Sequence, residues 1–535
     1  MSLQFITGNS GNGKTKYLFN RIVKEAKANP RDNYLVIVPE QFTMQTQRQL
    51  VDLSENKAIM NIDVLSFKRL AYRVFDELGI TNLTVLEETG KNLVLRKLAA
   101  QEADKLGVIG RNLNRIGYIS EVKSLLSELV QYNISPEELG RYIASGSLSD
   151  TLSDKLKDVL VLYEAFEKFM QDKYITAEEI LNVLSNVAEE SAILRNSVIA
   201  FDEFTGFTPI QNQLIKKLFV ISKKIYVTLT IDCREDIFKS RGMQELFDMP
   251  KRTVKSLTEM AAFYGIEVEE PIILDKNYRL AENEELSFME QQLFRKRRCS
   301  FKKAPKHIHI DCLRDPKQEL TKIARRINEL VRNENLRYRD IAIVTGDVNI
   351  YAGYVREIFD KYNIPYFIDA TQEILFHPFI EFIRSIPDIA AQNFSADAVF
   401  RFLRCGFSEL LDSEIDVLEN YVLACGVRGK SAWDKKWVRL PKHKAGYDLE
   451  LLNQSREYIM ELLKPVYQVF SDKKSTVKDY VLAIYKLIVL LDIPDKLAKK
   501  EQALLDAGDQ TASKEYGQIY KIVMQLFEKI CGGAG

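Results

Sequence analysis

Hydrophobic positions in the first part of the chain fall into two kinds of run. Leu3 to Thr7, Tyr34 to Val38, Asn61 to Leu65, Ser197 to Phe201 and Lys224 to Leu229 are short and largely apolar. Strands covered on both faces read this way, because a parallel sheet carries helices on each side. Between them, Lys16 to Ala28 and Phe67 to Leu78 repeat their apolar residues every three or four positions, the period of an amphipathic helix. Strands alternating with helices predict a doubly wound parallel sheet. From about Glu87 to Ala188 the strand pattern gives way to helical spacing alone, as at Val122, Leu125, Leu126 and Leu129, which predicts a helical insertion without strands.

A second alternating region follows a basic segment, Arg295-Lys296-Arg297-Arg298 with Lys302, Lys303 and Lys306 behind it, read as a surface linker. Strands are expected at His307 to Asp311, Asp340 to Val344 and Pro365 to Ile368, with helices at Gln318 to Val331 and Val348 to Tyr362. Beyond about His377 the pattern is helical, and the chain ends at Cys531 to Gly535 with no return to a sheet, so this second α/β region is expected to be unfinished. The expected domains are residues 1–85 with 190–290, a helical insertion at 86–189, a linker at 291–306, a second α/β domain beginning at 307–385 and a second helical insertion at 386–535.

The length of 535 residues is too great for one core and agrees with several domains. Charge changes the picture little: 75 Lys and Arg balance 75 Asp and Glu, so polyanion binding has to come from local patches. No run approaches the length of a membrane-spanning helix, and Met1 to Phe5 lacks the features of a signal peptide, so a cytoplasmic protein is expected. The six cysteines are scattered and read as free thiols, and the four histidines show no metal-binding spacing.

The chemistry concentrates where the first strand meets the first helix. Gly8, Asn9, Ser10, Gly11, Asn12, Gly13, Lys14 and Thr15 match G-x-x-x-x-G-K-[ST] in full, in the strand-loop-helix context a P-loop needs. Backbone amides wrap phosphates there, Lys14 reaches the terminal phosphates of ATP, and the Thr15 hydroxyl ligates Mg2+. A carboxylate is needed at the end of another strand, and Ser197 to Phe201 runs into Asp202 and Glu203. Asp202 is the candidate for the magnesium and Glu203 for polarising the attacking water. The alternative is an acidic pair that merely starts a helix.

The residues around these motifs resemble superfamily 1 helicases of the UvrD and AddA kind. Asp202 to Gln211 is similar to their second motif, Asp275-Lys276-Asn277-Tyr278-Arg279 to their N-Y-R motif, and Val64 to Ala71 to their DNA-contacting S-F segment. The resemblance implies a P-loop NTPase fold with two RecA-like parallel sheets carrying large helical insertions, and a γ-phosphate contact for Arg279. Departures include Thr205 where those helicases carry glutamine and no room for their upstream glutamine motif. In the frame of their phosphate-sensing Asp-Gln pair stands Asp232-Cys233-Arg234-Glu235, and a carboxylate facing a phosphate repels it, so the motor is expected to be degenerate.

An intact P-loop with eroded motor motifs, together with Val38-Pro39-Glu40-Gln41-Phe42-Thr43 and Ser66 to Ala71, resembles the AddB family of ATP-dependent helicase/deoxyribonuclease subunits. The resemblance implies an AddA-type partner subunit, ATP and Mg2+ as cofactors, and action on double-stranded DNA ends and single-stranded DNA, with a part in recognising Chi. It also implies a nuclease domain and a 4Fe-4S cluster in a C-terminal part that this sequence does not contain, so the chain looks like an N-terminal fragment. Gln41, Thr43, Phe67 and Arg69 are the DNA-binding candidates by motif. Phe67 can equally be a core residue and Arg69 simply solvated. The segment from Arg295 to Lys306 is a backbone contact for DNA or an exposed linker, and Trp433 and Trp437 read as packing residues. Two other readings stay open. One is a self-sufficient superfamily 1 helicase; the other is a P-loop kinase with a helical domain, which leaves Asn277 to Arg279 unexplained.

Overall fold

The computed structural model describes residues 1–80, 85–108, 110, 116–145, 148–170, 174–295, 299–371, 373–441 and 446–533. The chain forms two compact units, Met1–Ile308 and His309–Gly535.

The first unit is built on a parallel sheet. Its strands are β1 (Ser2–Gly8), β2 (Tyr34–Ile37), β3 (Ile62–Leu65), β6 (Val198–Phe201), β7 (Lys224–Thr230), β8 (Glu267–Val268) and β9 (Ile272–Leu274), in the order β3-β2-β6-β7-β1-β8, with β9 also on β1. Every pair is parallel, and β1 lies on β7 in register from Ser2 opposite Lys224 to Gly8 opposite Thr230. Period-two alternation sends Leu3, Phe5, Leu35, Ile37, Ile199 and Phe201 to one face. Ile6, Val36, Val38, Ala200 and Tyr226 go to the other. Helices α1 (Lys14–Ala28) and α2 (Thr43–Leu53) cover the second face through Leu18, Phe19, Ile22 and Leu50. The first face carries α3 (Phe67–Leu78), α8 (Ile180–Val187), α9 (Pro209–Ile221) and α10 (Asp248–Phe263). The short strands β8 and β9 were not expected from the sequence, being too brief to show a period.

Between β3 and β6 stand α4 (Glu88–Gln101), α5 (Ile116–Gln131), α6 (Pro136–Ala144) and α7 (Asp150–Met170), packed around Val94, Leu95, Leu126, Leu162 and Phe166. This stretch is not wholly without strands. β4 (Val85–Leu86) and β5 (Ile175–Thr176) pair in parallel at its two ends. The first unit closes with α11 (Glu284–Gln292), capped by the Asn283 side chain.

In the second unit, α12 (Pro316–Asn333) and α13 (Val348–Lys361) pack through Leu320, Ala324, Ile327, Ile358 and Phe359. The strands expected at 307–311, 340–344 and 365–368 do not form: among the described residues none of these segments joins a ladder, and Ile310, Val344 and Phe367 are exposed. A strand takes its backbone hydrogen bonds from a neighbour, so apolar character without a partner gives only extended chain. The remainder is helical: α14 (Pro378–Ala391), α15 (Ala396–Leu403), α16 (Asp412–Cys425), α17 (Lys430–Asp434), α18 (Leu449–Ser471), α19 (Val477–Leu490), α20 (Ile493–Asp506) and α21 (Gln510–Gly533). These enclose a core that includes Phe379, Phe382, Phe402, Trp433 and Trp437. Among the described residues no helix is long and apolar enough to cross a membrane.

Candidate nucleotide site

The glycine loop leaves β1 and enters α1 through two residues that only glycine adopts easily. Gly11 and Gly13 have φ of 88° and 80°, in the left-handed region. A Cβ on Gly11 would stand 2.8 Å from both the Arg279 Cβ and the Asn277 Oδ1, so the loop is also too close to the Asn277-Arg279 segment for any side chain. That segment lies over the loop. Tyr278 N donates to Gly11 O at 3.0 Å, Asn277 Nδ2 to Ser10 O at 3.1 Å, and the Arg279 guanidinium to Ser10 Oγ at 3.4 Å. The Asn277 Oδ1 accepts the amides of Arg279 and Leu280, which shapes the turn that presents Arg279.

Asn9 and Asn12, expected among the nucleotide-binding residues, turn inward. Asn12 Nδ2 donates to Leu274 O on β9 at 2.5 Å, while Asn9 bonds Glu290 on α11 at 2.7 Å and the Cys233 amide at 2.9 Å. Both side chains are buried, so they brace the loop from beneath and leave its amides for a ligand. Lys14 Nζ donates to the carbonyls of Gly8 and Asn9 at 3.1 and 3.0 Å. Burial lowers the Lys14 pKa, against the pull of Glu203 and Asp202 that raises it, so the ammonium sits where an anion would replace lost hydration.

Asp202 and Glu203 come off the C-terminal end of β6 into the same cleft, of about 830 Å³, whose lining also includes Lys14, Thr15, Thr228 and Arg279. Asp202 is 1% exposed; Thr228 Oγ1 donates to its Oδ1, and its Oδ2 is buried with no hydrogen-bond partner among the described residues. Burial raises its pKa, and an orphaned carboxylate oxygen of this kind is what a bound cation satisfies. Thr15 Oγ1 stands beside it, donating to Glu203 Oε1 at 3.3 Å. These residues fit a magnesium ion: Thr15 and Asp202 supply the hard oxygen donors such an ion takes. Glu203 has φ of 65°, a left-handed conformation that costs about 1 kcal/mol or more in a non-glycine residue and that turns the chain just where the carboxylate enters the cleft.

The Asp202-Glu203 pair does not start a helix; α9 begins later, at a capping box in which Gln211 accepts from the Thr208 amide and Thr208 Oγ1 from the Gln211 amide. Gln211 is thus a cap. Glu235 does not face the phosphate site either. It pairs with the buried Lys251 at 2.7 Å and is absent from the cleft lining, so the expected repulsion of the γ-phosphate has no geometric basis here. Its neighbour Asp232 is clamped by Arg234 and Arg295 at 2.6 and 2.9 Å. Burial would raise this carboxyl, but hydrogen bonds from Arg234, the Arg234 charge and Arg295 hold it down to about 2.

The DNA candidates divide. Gln41 and Arg69 are exposed. Thr43 is buried, its hydroxyl donating to Glu40 O at 3.0 Å, which makes it a turn-closing residue. Phe67 is 7% exposed and its ring lies 5.8, 5.6 and 6.3 Å from those of Phe201, Phe204 and Phe207. It is a core residue in this fold, with no face left to stack on a base. Ser66 caps α3 by accepting the Arg69 amide. Of the basic segment, Lys296, Arg297 and Arg298 lie outside the described residues, Arg295 is committed to Asp232, and Lys303 pairs with Glu284 at 2.6 Å. Trp433 and Trp437 are packed in the second core.

Several cleft residues have no motif to announce them. Gln45, Thr46 and Gln49 of α2 form one wall, brought there by the fold. Thr228 had a signal, a hydroxyl residue within the otherwise hydrophobic run from Ile225 to Leu229. Among the described residues no group of three or more His, Cys, Asp or Glu is placed to hold a metal.

Residues 5–290 match the family described as ADDB, N-terminal. The B-subunit of the ATP-dependent helicase/deoxyribonuclease of Lachnoclostridium phytofermentans is 38% identical over 540 residues, 99% of this chain and 47% of that protein. The proteins of the same name from Clostridium acetobutylicum and Clostridioides difficile are each 31% identical, over 99% of this chain and 46% and 47% of their own lengths. The chain therefore spans about half the length of the relatives it matches. The match to the family covers more than half of the chain and takes in every residue that lines the cleft, and the chain accordingly belongs to the AddB family.

Proposed function

We propose that this chain is the ATP-binding and DNA-binding part of the AddB-type subunit of a cytoplasmic helicase/deoxyribonuclease, which works with an AddA-type subunit on double-stranded DNA ends in recombinational repair and takes part in recognising Chi. The observation that carries the reading is the cleft, where Lys14, Thr15, Asp202, Glu203 and Arg279 converge from separated stretches of sequence. The amides at the start of α1 receive phosphate oxygens, helped by the positive end of the helix dipole. Lys14 exchanges the Gly8 and Asn9 carbonyls for the β- and γ-phosphates, and Arg279 takes up charge on the γ-phosphate. Thr15 and Asp202 would hold a magnesium ion, which when bound would supply charge neutralisation to the triphosphate. Glu203 accepts a hydrogen bond from the attacking water and orients it.

The reading of the motor as degenerate loses the argument from Glu235, which is turned to Lys251. An autonomous ATP-driven helicase is therefore the second reading. Steady-state ATP binding and hydrolysis separate the two, measured with and without single-stranded DNA, for the native chain and Lys14→Ala, alone and with an AddA-type subunit. ATP binding abolished in Lys14→Ala, with slow turnover alone and DNA binding that tightens with the partner, is the expected result. Rapid DNA-stimulated turnover by the chain alone would replace the subunit reading with the motor. No ATP binding at all would sink both.

A further inference from the structure

We infer that residues 426–441 of the second unit, which follow α16, form a docking surface for the phosphodiester backbone of duplex DNA, separate from the nucleotide cleft. Between residues 426 and 441 the chain carries five cations, Arg428, Lys430, Lys435, Lys436 and Arg439, against one carboxylate, Asp434. Lys430 and Asp434 neutralise each other at 2.6 Å. The other four cations are exposed and none has an ion pair among the described residues. In a chain of zero net charge, rich in surface ion pairs, four uncompensated cations in twelve consecutive positions from 428 to 439 are a local excess.

The framework beneath them is rigid. Trp433 is fully buried and Trp437 is 7% exposed, their rings 5.3 Å apart. Trp437 exchanges both backbone hydrogen bonds with the Asn453 side chain, at 2.8 and 2.9 Å, and its indole donates to Ala432 O at 3.0 Å. The buried Arg456 holds Trp433 O at 2.9 Å, and Tyr421 OH donates to Arg439 O at 2.7 Å. Backbone groups on the inner side are thus tied to α16 and α18, while Lys435, Lys436 and Arg439 face outward. Cations on an immobile backbone lose less entropy on binding than those of a free loop. Cys425 Sγ lies 3.6 Å from Arg439 O, which sets residue 439 beside the end of α16, three residues before Arg428.

The choice of duplex follows from what is missing as well as from what is present. Single strands are held by aromatic rings that stack on bases, and the aromatic residues between 426 and 441, Trp433 and Trp437, are both buried. The exposed side chains from 428 to 440 include the four cations, with the aliphatic Val438 and Leu440 beside them, and no aromatic ring, and charge without a stacking platform suits a backbone whose bases are already paired. That the polyanion is DNA rests on the proposed function; the charge distribution does not.

The test uses the whole chain, with Lys435→Glu, Lys436→Glu and Arg439→Glu combined, and the milder combination of Lys435→Gln, Lys436→Gln and Arg439→Gln. Binding of a blunt duplex is followed by anisotropy over a salt series, with a single strand and polyglutamate as competitors. Trp433 and Trp437 are the two tryptophans of this chain, so its intrinsic emission reports on this segment directly. Unchanged emission of the free variants shows that the framework has folded. Expected are at least about tenfold weaker duplex binding in the glutamate variant and a loss of about 3 from the slope of log K against log salt. ATP binding at Lys14 stays as in the native chain. Unchanged duplex affinity and slope in both variants overturn the surface, as does a single strand that outcompetes the duplex. Polyglutamate competing as well as duplex would make this a face for an acidic protein and overturn it too. Loss of ATP binding by the native chain, with duplex binding intact, would count against the functional reading and leave this surface standing.

Discussion

Replacing Phe67 by alanine sets two roles against each other, because the ring lies in a segment similar to a DNA-contacting motif and yet packs in the core of the first unit. Its ring centroid is 5.8 Å from Phe201 on β6, 5.6 Å from Phe204 and 6.3 Å from Phe207. Truncation of a buried phenylalanine costs about 3–5 kcal/mol, since the removed carbons lose their transfer energy and the cavity stays partly open. Phe67→Leu keeps most of the volume and gives up the ring pairs, for about 1–2 kcal/mol. In a unit of this size a loss of that order lowers the midpoint by roughly 2 °C per kcal/mol, so alanine shifts it by about 6–10 °C. Tryptophan emission cannot follow this, because Trp433 and Trp437 both lie in the second unit. The assay is thermal denaturation by circular dichroism with hydrogen exchange of the β6 and α3 amides, alongside single-strand binding at a temperature where the variant remains folded. The expected outcome is faster exchange in β6 and α3, with native affinity for DNA well below the midpoint. Native stability together with lost DNA binding would refute the core assignment and return the ring to the DNA surface.

Glu235→Gln removes one of two carboxylates from the buried Lys251, leaving Glu245 at 3.2 Å; stability falls by about 1–2 kcal/mol while ATP affinity, measured by calorimetry, stays unchanged. A gain in ATP affinity would mean that Glu235 reaches the phosphates after all. Asn12→Ala removes the 2.5 Å bond to Leu274 O; it costs about 1–3 kcal/mol and weakens ATP binding through a slack loop, readable as faster exchange of the loop amides. His377 accepts the Phe379 amide at the start of α14, and burial lowers its pKa below the ordinary value. A depressed folded-state pKa gives stability that is full above about pH 6.5 and is lost as pH falls toward the folded value, because the unfolded chain takes up the proton first. The denaturation midpoint of the second unit, followed by tryptophan emission, therefore drops between pH 7 and pH 5, and His377→Gln flattens that dependence. A midpoint indifferent to pH in the native chain would refute it.

Local chemistry was legible wherever it is written in consecutive residues. The strand, glycine loop and helix from Ser2 to Ala28 follow from an apolar run, backbone freedom at Gly11 and Gly13 and amphipathic spacing, and so does the acidic pair closing β6. Burial on both sides of the sheet was visible in its unbroken apolar strands, since each face meets a helix. Tertiary structure alone decided what each polar group faces. Asn9 and Asn12 turn into the protein because β9 and α11 lie under the loop, Glu235 is drawn off by Lys251 from α10, and Phe67 is enclosed by three rings, two of them from the turn after β6. The strands expected at 307–311, 340–344 and 365–368 failed for the same reason: apolar residues favour extension, but only a neighbour completes a ladder. A sequence carries the propensity of each segment, whereas the partner that satisfies a charge, a ring or a backbone amide comes from residues tens to hundreds of positions away, and only the fold brings them together.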